Sequence, residues 1–431
     1  MCDTSTVTDH NELKTSSNGT WNLINAFGAI FVVVASAGGP QWLTHAALIL
    51  SFPILLMGVG YALNVQVLNE EKNYLWRQIK TVYCPFWVWS VLFLMLHNVF
   101  LWMGFLDTQS GDWGGNVAVA FTWNDFIQRL WDVTFNMSGF DELLCAPFWF
   151  FRTLFIAGVV YLILFKLTKK VIEIDNAHTI GLVILSLSFL MALWQVLGNL
   201  HISGIAGGGY RELMGVFFIS LGFLSRDILR VLPKRWWVAL TGLVVFVLFL
   251  VFSPVTQTSS ADLIQFISLP VPVLGAFIFV SYSAAFLSQR KNKIVSALSF
   301  IGDKYLFVIA FHLLAFKLIS MIKVLVSGLS WSAVGAFPVV HENASSDFYF
   351  VLYILIGVAL PLLTILGWRF LDSKYNLTVW NCLVYIGWGF LLLLKWIWKM
   401  LVKCVLRFWR SVKNFAKDMK EFVNASNPKD E

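Results

Sequence analysis

Apolar residues in this chain come in blocks of membrane-crossing length, divided by short polar stretches, and this pattern is its strongest structural signal. A helix advances about 1.5 Å per residue, so about 20 apolar residues cross a hydrocarbon core about 30 Å thick. By that measure the first half of the chain predicts membrane helices at Trp21–Ala37, Leu43–Leu63, Val82–Phe105, Phe148–Phe165 and Thr179–Leu197. The second half predicts them at Leu213–Leu224, Trp236–Phe252, Leu263–Leu287, Tyr305–Leu325 and Phe348–Trp368. The Leu213 block is short and crosses only by borrowing from Gly207–Glu212. The expected fold is all-α, a multi-pass membrane helix bundle of about ten transmembrane helices.

The cations fall between the blocks. Lys72, Arg77 and Lys80 follow the second block, Lys166, Lys169 and Lys170 the fourth, and Arg226, Arg230, Lys234 and Arg235 the sixth. Arg290, Lys291 and Lys293 follow the eighth, Arg369 and Lys374 the tenth. All of these clusters lie on one side, which the positive-inside rule makes cytoplasmic together with the N-terminus. On the other side the longest loop, Leu106–Ala146, sets Arg129 against Asp107, Asp112, Asp125, Asp132, Asp141 and Glu142. Its Trp113, Trp123 and Trp131 suit a lid against the membrane surface.

Beyond the tenth block, Leu377–Leu394 is apolar, and Lys395, Lys399, Lys403, Arg407, Arg410, Lys413, Lys417 and Lys420 follow it. Crossing there would place these cations outside. They alternate with Trp396, Trp398, Leu401, Val405, Phe408 and Phe415, so the expectation is a re-entrant or interfacial stretch followed by a C-terminal amphipathic helix on the anionic cytoplasmic surface. Three regions result: a disordered cytoplasmic tail at 1–20, a membrane domain at 21–370, and a hydrophobic then basic segment at 371–431.

Composition agrees, at 58% hydrophobic and 13% charged with a mean hydropathy of +0.74, against about 25% charged in a soluble domain. The net charge of +7 does not argue for nucleic acid, because the cations are membrane-loop residues. Asp3, Asp9 and Glu12 in the opening segment are unlike the basic start of a cleavable signal peptide. Cys2, Cys84, Cys145, Cys382 and Cys404 have neither CxxC nor metal-ligand spacing, so no disulfide framework and no metal site is expected. Phosphate-loop, nucleophile-elbow and HExxH motifs are absent, which leaves the chemistry to scattered residues.

The residues that stand out are polar ones at membrane depth. Arg152 lies about a turn and a half into its apolar run, where a guanidinium costs a few kcal/mol. It either snorkels, pairs with a structural carboxylate, or does chemistry. His312 lies in the ninth block, with Lys317 and Lys323 deeper and Lys323 on nearly the same helix face. His45 follows the break at Gly38, Gly39 and Pro40, and His97 lies near the outer end of the third block. For each histidine a packing role stands beside a catalytic one.

Several short stretches resemble the integral-membrane acyltransferase 3 family. Phe52-Pro53-Ile54-Leu55-Leu56-Met57-Gly58-Val59-Gly60-Tyr61 is similar to its second-helix motif, with Val59 in place of a serine. Arg77 to Ser90 resembles its basic loop running into a Pro-Tyr-x-x-Trp helix start. Phe148-Trp149-Phe150-Phe151-Arg152-Thr153-Leu154 resembles Leu-Trp-Phe-Leu-Arg-Asp-Leu, with Thr153 where an aspartate is common. Ile301 to His312 is similar to the late Gly-Lys-x-Ser-x-x-Ile-Tyr-x-x-His helix. The first helix departs: the positions of its usual polar motif hold Asn25, Gly28 and Gly39, so its arginine and its acyl-transfer histidine are missing.

The resemblance implies an O-acyltransferase, commonly an acetyltransferase, in the cell (inner) membrane with its N-terminus cytoplasmic. It would carry an acyl group from cytoplasmic acetyl-CoA or another acyl-CoA to a hydroxyl of an extracytoplasmic surface glycan or lipid-linked sugar. Arg77 and Lys80 match the basic loop and would bind the CoA phosphates; their alternative is plain topology anchoring. Arg152 and His312 match two separate motifs and are the catalytic candidates, with His45 as a second base. Two other readings stay open: a catalytically inactive relative acting as carrier or partner subunit, and an unrelated transporter.

Overall fold

The computed structural model describes residues 5–106, 119–141, 143–173, 176–198, 209–233, 235–252, 263–290, 292–340 and 348–375. Among them no β-strand occurs. The helices are α1 (Ser5–Ser36), α2 (Gln41–Ala62), α3 (Val65–Asn69), α4 (Glu71–Gln78), α5 (Cys84–Trp102), α6 (Trp123–Asn136), α7 (Trp149–Ile172) and α8 (Ala177–Gly198). There follow α9 (Tyr210–Val231), α10 (Trp236–Phe252), α11 (Leu263–Ser268), α12 (Pro270–Ser288), α13 (Lys293–Asp303), α14 (Tyr305–Ser327) and α15 (Tyr349–Tyr375).

Among the described residues, 8 helical segments are long and apolar enough to cross a membrane. They are Gly19–Ser36, α2, Glu71–Trp102, Ala146–Val171, α8, Phe266–Ser288, α14 and Tyr349–Phe370. The two other expected blocks are also helical. The apolar α10 has 17 residues. The 22-residue α9 does borrow polar residues, opening on Tyr210, Arg211 and Glu212, and also carries Arg226, Asp227 and Arg230 at its far end. The protein is an all-α, multi-pass membrane helix bundle. Its first helix starts at Ser5, inside the segment expected to be a tail, because a formed helix extends more readily than it nucleates.

By contacts the chain divides into Met1–Leu362 and Leu363–Glu431. Of the second unit, the described part is the end of α15. The expected interfacial stretch at Leu377–Leu394 and the basic amphipathic helix after it lie outside the described residues.

Within the first unit α1 packs on α2, α12, α13 and α14, α2 on α9, and α9 on both α7 and α8. The α2 and α9 backbones meet where neither has a side chain. A Cβ on Gly60 would land on the carbonyl of Ile219, and one on Gly222 on the carbonyl of Met57. Small residues let helices approach this closely in lipid, where packing rather than hydrophobicity drives association. The crossing fixes α9 in the core of the bundle, although its ends carry charge.

Pro85 has no N–H for the carbonyl of Thr81, and the chain just before it, Ile79–Tyr83, widens into a π-helical turn. In the loop expected to form a lid, α6 runs back along α5. Tyr83 and Trp87 donate to Thr134 at one end (2.7 and 3.0 Å), and Asn98 bonds the backbone of Phe121 at the other (3.0 and 2.8 Å). His97 completes this clasp. Its Nδ1 is 2.6 Å from Asp141 Oδ2, its Nε2 is 3.1 Å from the Val119 carbonyl, and its ring stacks on Phe121. Arg129, the cation singled out in this loop, lies over Phe121 as well, 4.3 Å from the ring centre.

The deep lysines of α14 bond backbone carbonyls. Lys317 Nζ donates to Val334, Gly335 and Ala336 at 3.1, 3.3 and 2.9 Å, at the end of the 3-10 turn Trp331–Gly335. Lys323 Nζ donates to Val340 at 2.7 Å. For Lys317 the carbonyl end of the 3-10 turn favours a cation, and for Lys323 the Val340 carbonyl satisfies one ammonium donor, so both lysines have a folding role.

Candidate active site

Arg152 lies in the first turn of α7 among Trp149, Phe150 and Phe151, with 3% of its surface exposed. Its Nε donates to Glu212 Oε1 at 2.9 Å. Glu212 is in the first turn of α9, where the helix dipole favours a carboxylate, and the chain enters that turn through Gly209 at φ 87°, a conformation glycine takes without strain. The next cation, Arg211, lies over the ring of Trp149 at 4.4 Å. Two guanidiniums against one carboxylate leave the cluster net positive. Glu212 Oε2 is buried without a hydrogen-bond partner among the described residues, and so is Thr153 Oγ1.

His312 is fully buried in α14. Its Nδ1 lies 2.9 Å from the Ile309 carbonyl, which assigns the proton of the neutral ring to Nδ1 and leaves the lone pair on Nε2. Nε2 has no hydrogen-bond partner among the described residues. The ion pair of Arg152 and the hydrogen bond of His312 therefore go to different residues. What relates the two is α5: Trp89 packs edge-on against Phe151 and against Phe311, each at 5.7 Å between ring centres. Each of those phenylalanines precedes one candidate in sequence, so the α7 and α14 segments that carry the two candidates both border Trp89.

His45 is half-buried on α2, seven residues or about two turns from Phe52. Phe52 is the residue that reaches the site, with its ring 4.4 Å from that of Trp149 and 5.0 Å from that of Phe150. Arg77 and Lys80 are exposed on α4 and the π-helical turn, and Lys80 Nζ lies 5.0 Å from the Trp76 ring. They lie beside the middle of α7: Gln78, between them, is 3.0 Å from the place a Cβ on Gly158 would take, and Tyr83 packs on Phe155 at 5.7 Å between ring centres, whereas Lys166 near the end of α7 contacts Asn69 and Glu71 at 3.2 and 3.7 Å.

The divergent first helix has a physical counterpart. A Cβ on Gly28 would lie 2.6 Å from two atoms of the Leu55 side chain, so Leu55 occupies the space an arginine there would need. A Cβ on Gly39 would lie 3.1 Å from Phe350. Asn25 is fully buried, and neither of its amide atoms has a hydrogen-bond partner among the described residues.

Sequence reasoning missed Glu212, Arg211 and the His97–Asp141 pair as functional or structural partners. A usable signal exists for the first: Arg152 needs a carboxylate, Thr153 stands where the resembling motif often has one, and Glu212 immediately precedes the short Leu213 block.

A helix bundle that buries an arginine–glutamate pair and a histidine nitrogen without a partner among the described residues defines a class: multi-pass membrane proteins with polar groups in their interior. The chain belongs to the acyltransferase 3 family. The family model, described as an acyltransferase domain, matches residues 53–341 and so takes in Arg77, Lys80, Arg152, Glu212 and His312. The match starts beyond the divergent first helix and His45. No curated protein and no solved structure matched the chain.

Proposed function

We propose that this membrane acyltransferase moves an acyl group, acetyl in the first instance, from acyl-CoA to a hydroxyl of an extracytoplasmic or lipid-linked glycan. The observation that carries the reading is the net-positive cluster of buried Arg152 and Glu212 with half-buried Arg211, inside the matched domain that also holds His312. In the reaction the hydroxyl oxygen attacks the thioester carbonyl carbon, the C–O bond forms, the C–S bond breaks, and its electron pair leaves on the CoA sulfur. Arg152 faces the negative charge that builds on the carbonyl oxygen, an interaction strengthened where water is excluded. His312 Nε2 takes the hydroxyl proton and returns it to the departing thiolate, so CoA leaves as the thiol. His45 is the substitute base. Arg77 and Lys80 hold the CoA phosphates, which sets the basic side of the bundle toward the cytoplasm of the cell that makes it.

One observation favours a second reading. With Leu55 filling the place beside Gly28 and no histidine at Gly39, the chain is a catalytically inactive member that serves as carrier or partner subunit. Mass spectrometry of surface glycans from cells with and without the protein separates the two. One acyl increment, present only with the protein, is the outcome the transferase reading expects; identical glycans together with no consumption of labelled acetyl-CoA would leave the inactive reading.

A further inference from the structure

Where α12 ends and α13 begins, the chain folds around a cleft of about 1050 Å³, large enough for a ligand beside the about 300–1,000 Å³ of ordinary small-molecule pockets. It is lined by Gly19 of α1, Ser288 at the end of α12, Arg290 and Asn292 of the connection, and Lys293 and Ser299 of α13. Two of these residues fix its depth. Gly19 begins one membrane-length helical segment and Ser288 ends another, so the cleft lies where hydrocarbon gives way to headgroups. The hydroxyls of Thr20 and Ser288, 3.3 Å apart, tie those two ends together.

The charge of the cleft is one-sided. Its described lining carries two cations, Arg290 and Lys293, and no carboxylate, and neither cation has an ion pair among the described residues. The Arg290 guanidinium lies 4.5 Å from the centre of the Phe286 ring, a contact that orients the side chain but supplies no counter-charge. The Asn292 side chain accepts from the Val295 N–H at 2.8 Å and caps α13, which holds Lys293 in the first turn, three residues from Arg290. Apolar side chains flank both cations: Phe286, one turn before Arg290, and Ile294, next to Lys293, are 57% and 71% exposed. A ligand with a charged head and apolar chains therefore meets complementary surface on both counts.

We propose that this cleft is a headgroup site for an anionic phospholipid, whose phosphate is bound between Arg290 and Lys293 and whose acyl chains lie along Phe286 and Ile294. Arginine offers a planar fork to two phosphate oxygens, lysine a point charge to a third, and Ser299 adds a hydroxyl on the same wall. A soluble phosphate compound shares the first half of that chemistry and lacks the second. The cation clusters predict that this side of the bundle faces the cytoplasm, where the membrane surface is anionic. Arg77 and Lys80 are not in the lining, and binding of lipid here requires no acyl transfer.

The test titrates the full-length protein in a neutral detergent with dioctanoyl phosphatidylglycerol and takes the apparent Kd from the thermal unfolding midpoint. Dioctanoyl phosphatidylcholine, which has the same chains and no net charge, inorganic phosphate and CoA are titrated in parallel. A saturable rise is expected with phosphatidylglycerol alone. Arg290→Gln/Lys293→Gln is expected to weaken its Kd about 25-fold, from about fivefold for each cation. Lys166→Gln/Lys170→Gln, which removes two cations outside the cleft, is expected to leave it unchanged. A Cβ on Gly19 would meet Ser288 Cβ at 3.6 Å, an ordinary contact, so Gly19→Leu fills the cleft without touching its charge and is expected to weaken binding about tenfold. Equal weakening in the two cation variants would mean diffuse attraction, and an equal response to phosphatidylcholine would mean binding by the chains; either overturns the inference. So does a saturable rise with phosphate or CoA that Arg290→Gln/Lys293→Gln abolishes, undiminished binding by Gly19→Leu, or no saturable response in the wild-type protein.

Discussion

Arg152 was conspicuous from its own neighbourhood, because one guanidinium inside an apolar block needs an explanation that no nearby residue gives. Its partner was not, because Glu212 lies 60 positions away in sequence and stands at the edge of a block, where a charge reads as a flank. Only the close α7–α9 approach makes them neighbours. The same holds for Leu55 and Gly28: the absence of the arginine was legible, but its filled space was not. Gly28→Arg is accordingly expected to destabilise the protein by about 1–3 kcal/mol through overpacking, and Gly28→Arg with Leu55→Ala to recover part of that loss. Thermal unfolding in detergent reads both. His312→Ala, with expression matched, is expected to lower transfer by about a hundredfold or more while the protein still inserts, since removing a positioned proton acceptor typically costs 10²–10⁴-fold. Near wild-type transfer would return His312 to a packing role.

At the scale of elements, the membrane helices were readable because lipid imposes a single rule, that the backbone bond itself internally across about 20 apolar residues. The helix α6 was not, since its order depends on residues brought from elsewhere: Tyr83, Trp87, His97 and Asn98 on one side and Asp141 on the other. Its start is a capping box in which Thr122 and Asp125 bond each other's backbone N–H. The Thr122 backbone and hydroxyl donors hold the Asp125 carboxyl below the usual carboxylate range. A lowered folded-state value means a contribution present at neutral pH and lost as the pH falls through that value. Acidification is therefore expected to fray the first turn of α6, and Asp125→Asn to flatten that pH dependence; hydrogen exchange at residues 123–126 reads it. Unchanged protection on acidification would contradict the account of this cap. His97→Ala is expected to open the same element from the other end and make residues 119–141 a protease target, with the transmembrane core intact.

For the whole molecule, the apolar blocks made a multi-pass helix bundle legible, and the five cation clusters between them predict alternating loops with one basic face. Single cysteines at Asn124 and at Arg235 are expected to label from opposite sides of intact cells, the first from outside and the second only after permeabilisation. External labelling at Arg235 would reverse the orientation and with it the assignment of Arg77 and Lys80 to CoA. The central claim, that a charge buried in this bundle drives acyl transfer, is tested most directly by one comparison: the rate of label transfer from acetyl-CoA in sealed membrane vesicles by wild-type protein and by Arg152→Lys at matched insertion. The lysine keeps the charge and loses the planar fork that fits both Glu212 and a developing oxyanion. The account predicts a loss of about a hundredfold to a thousandfold; transfer by the lysine variant at the wild-type rate would contradict it.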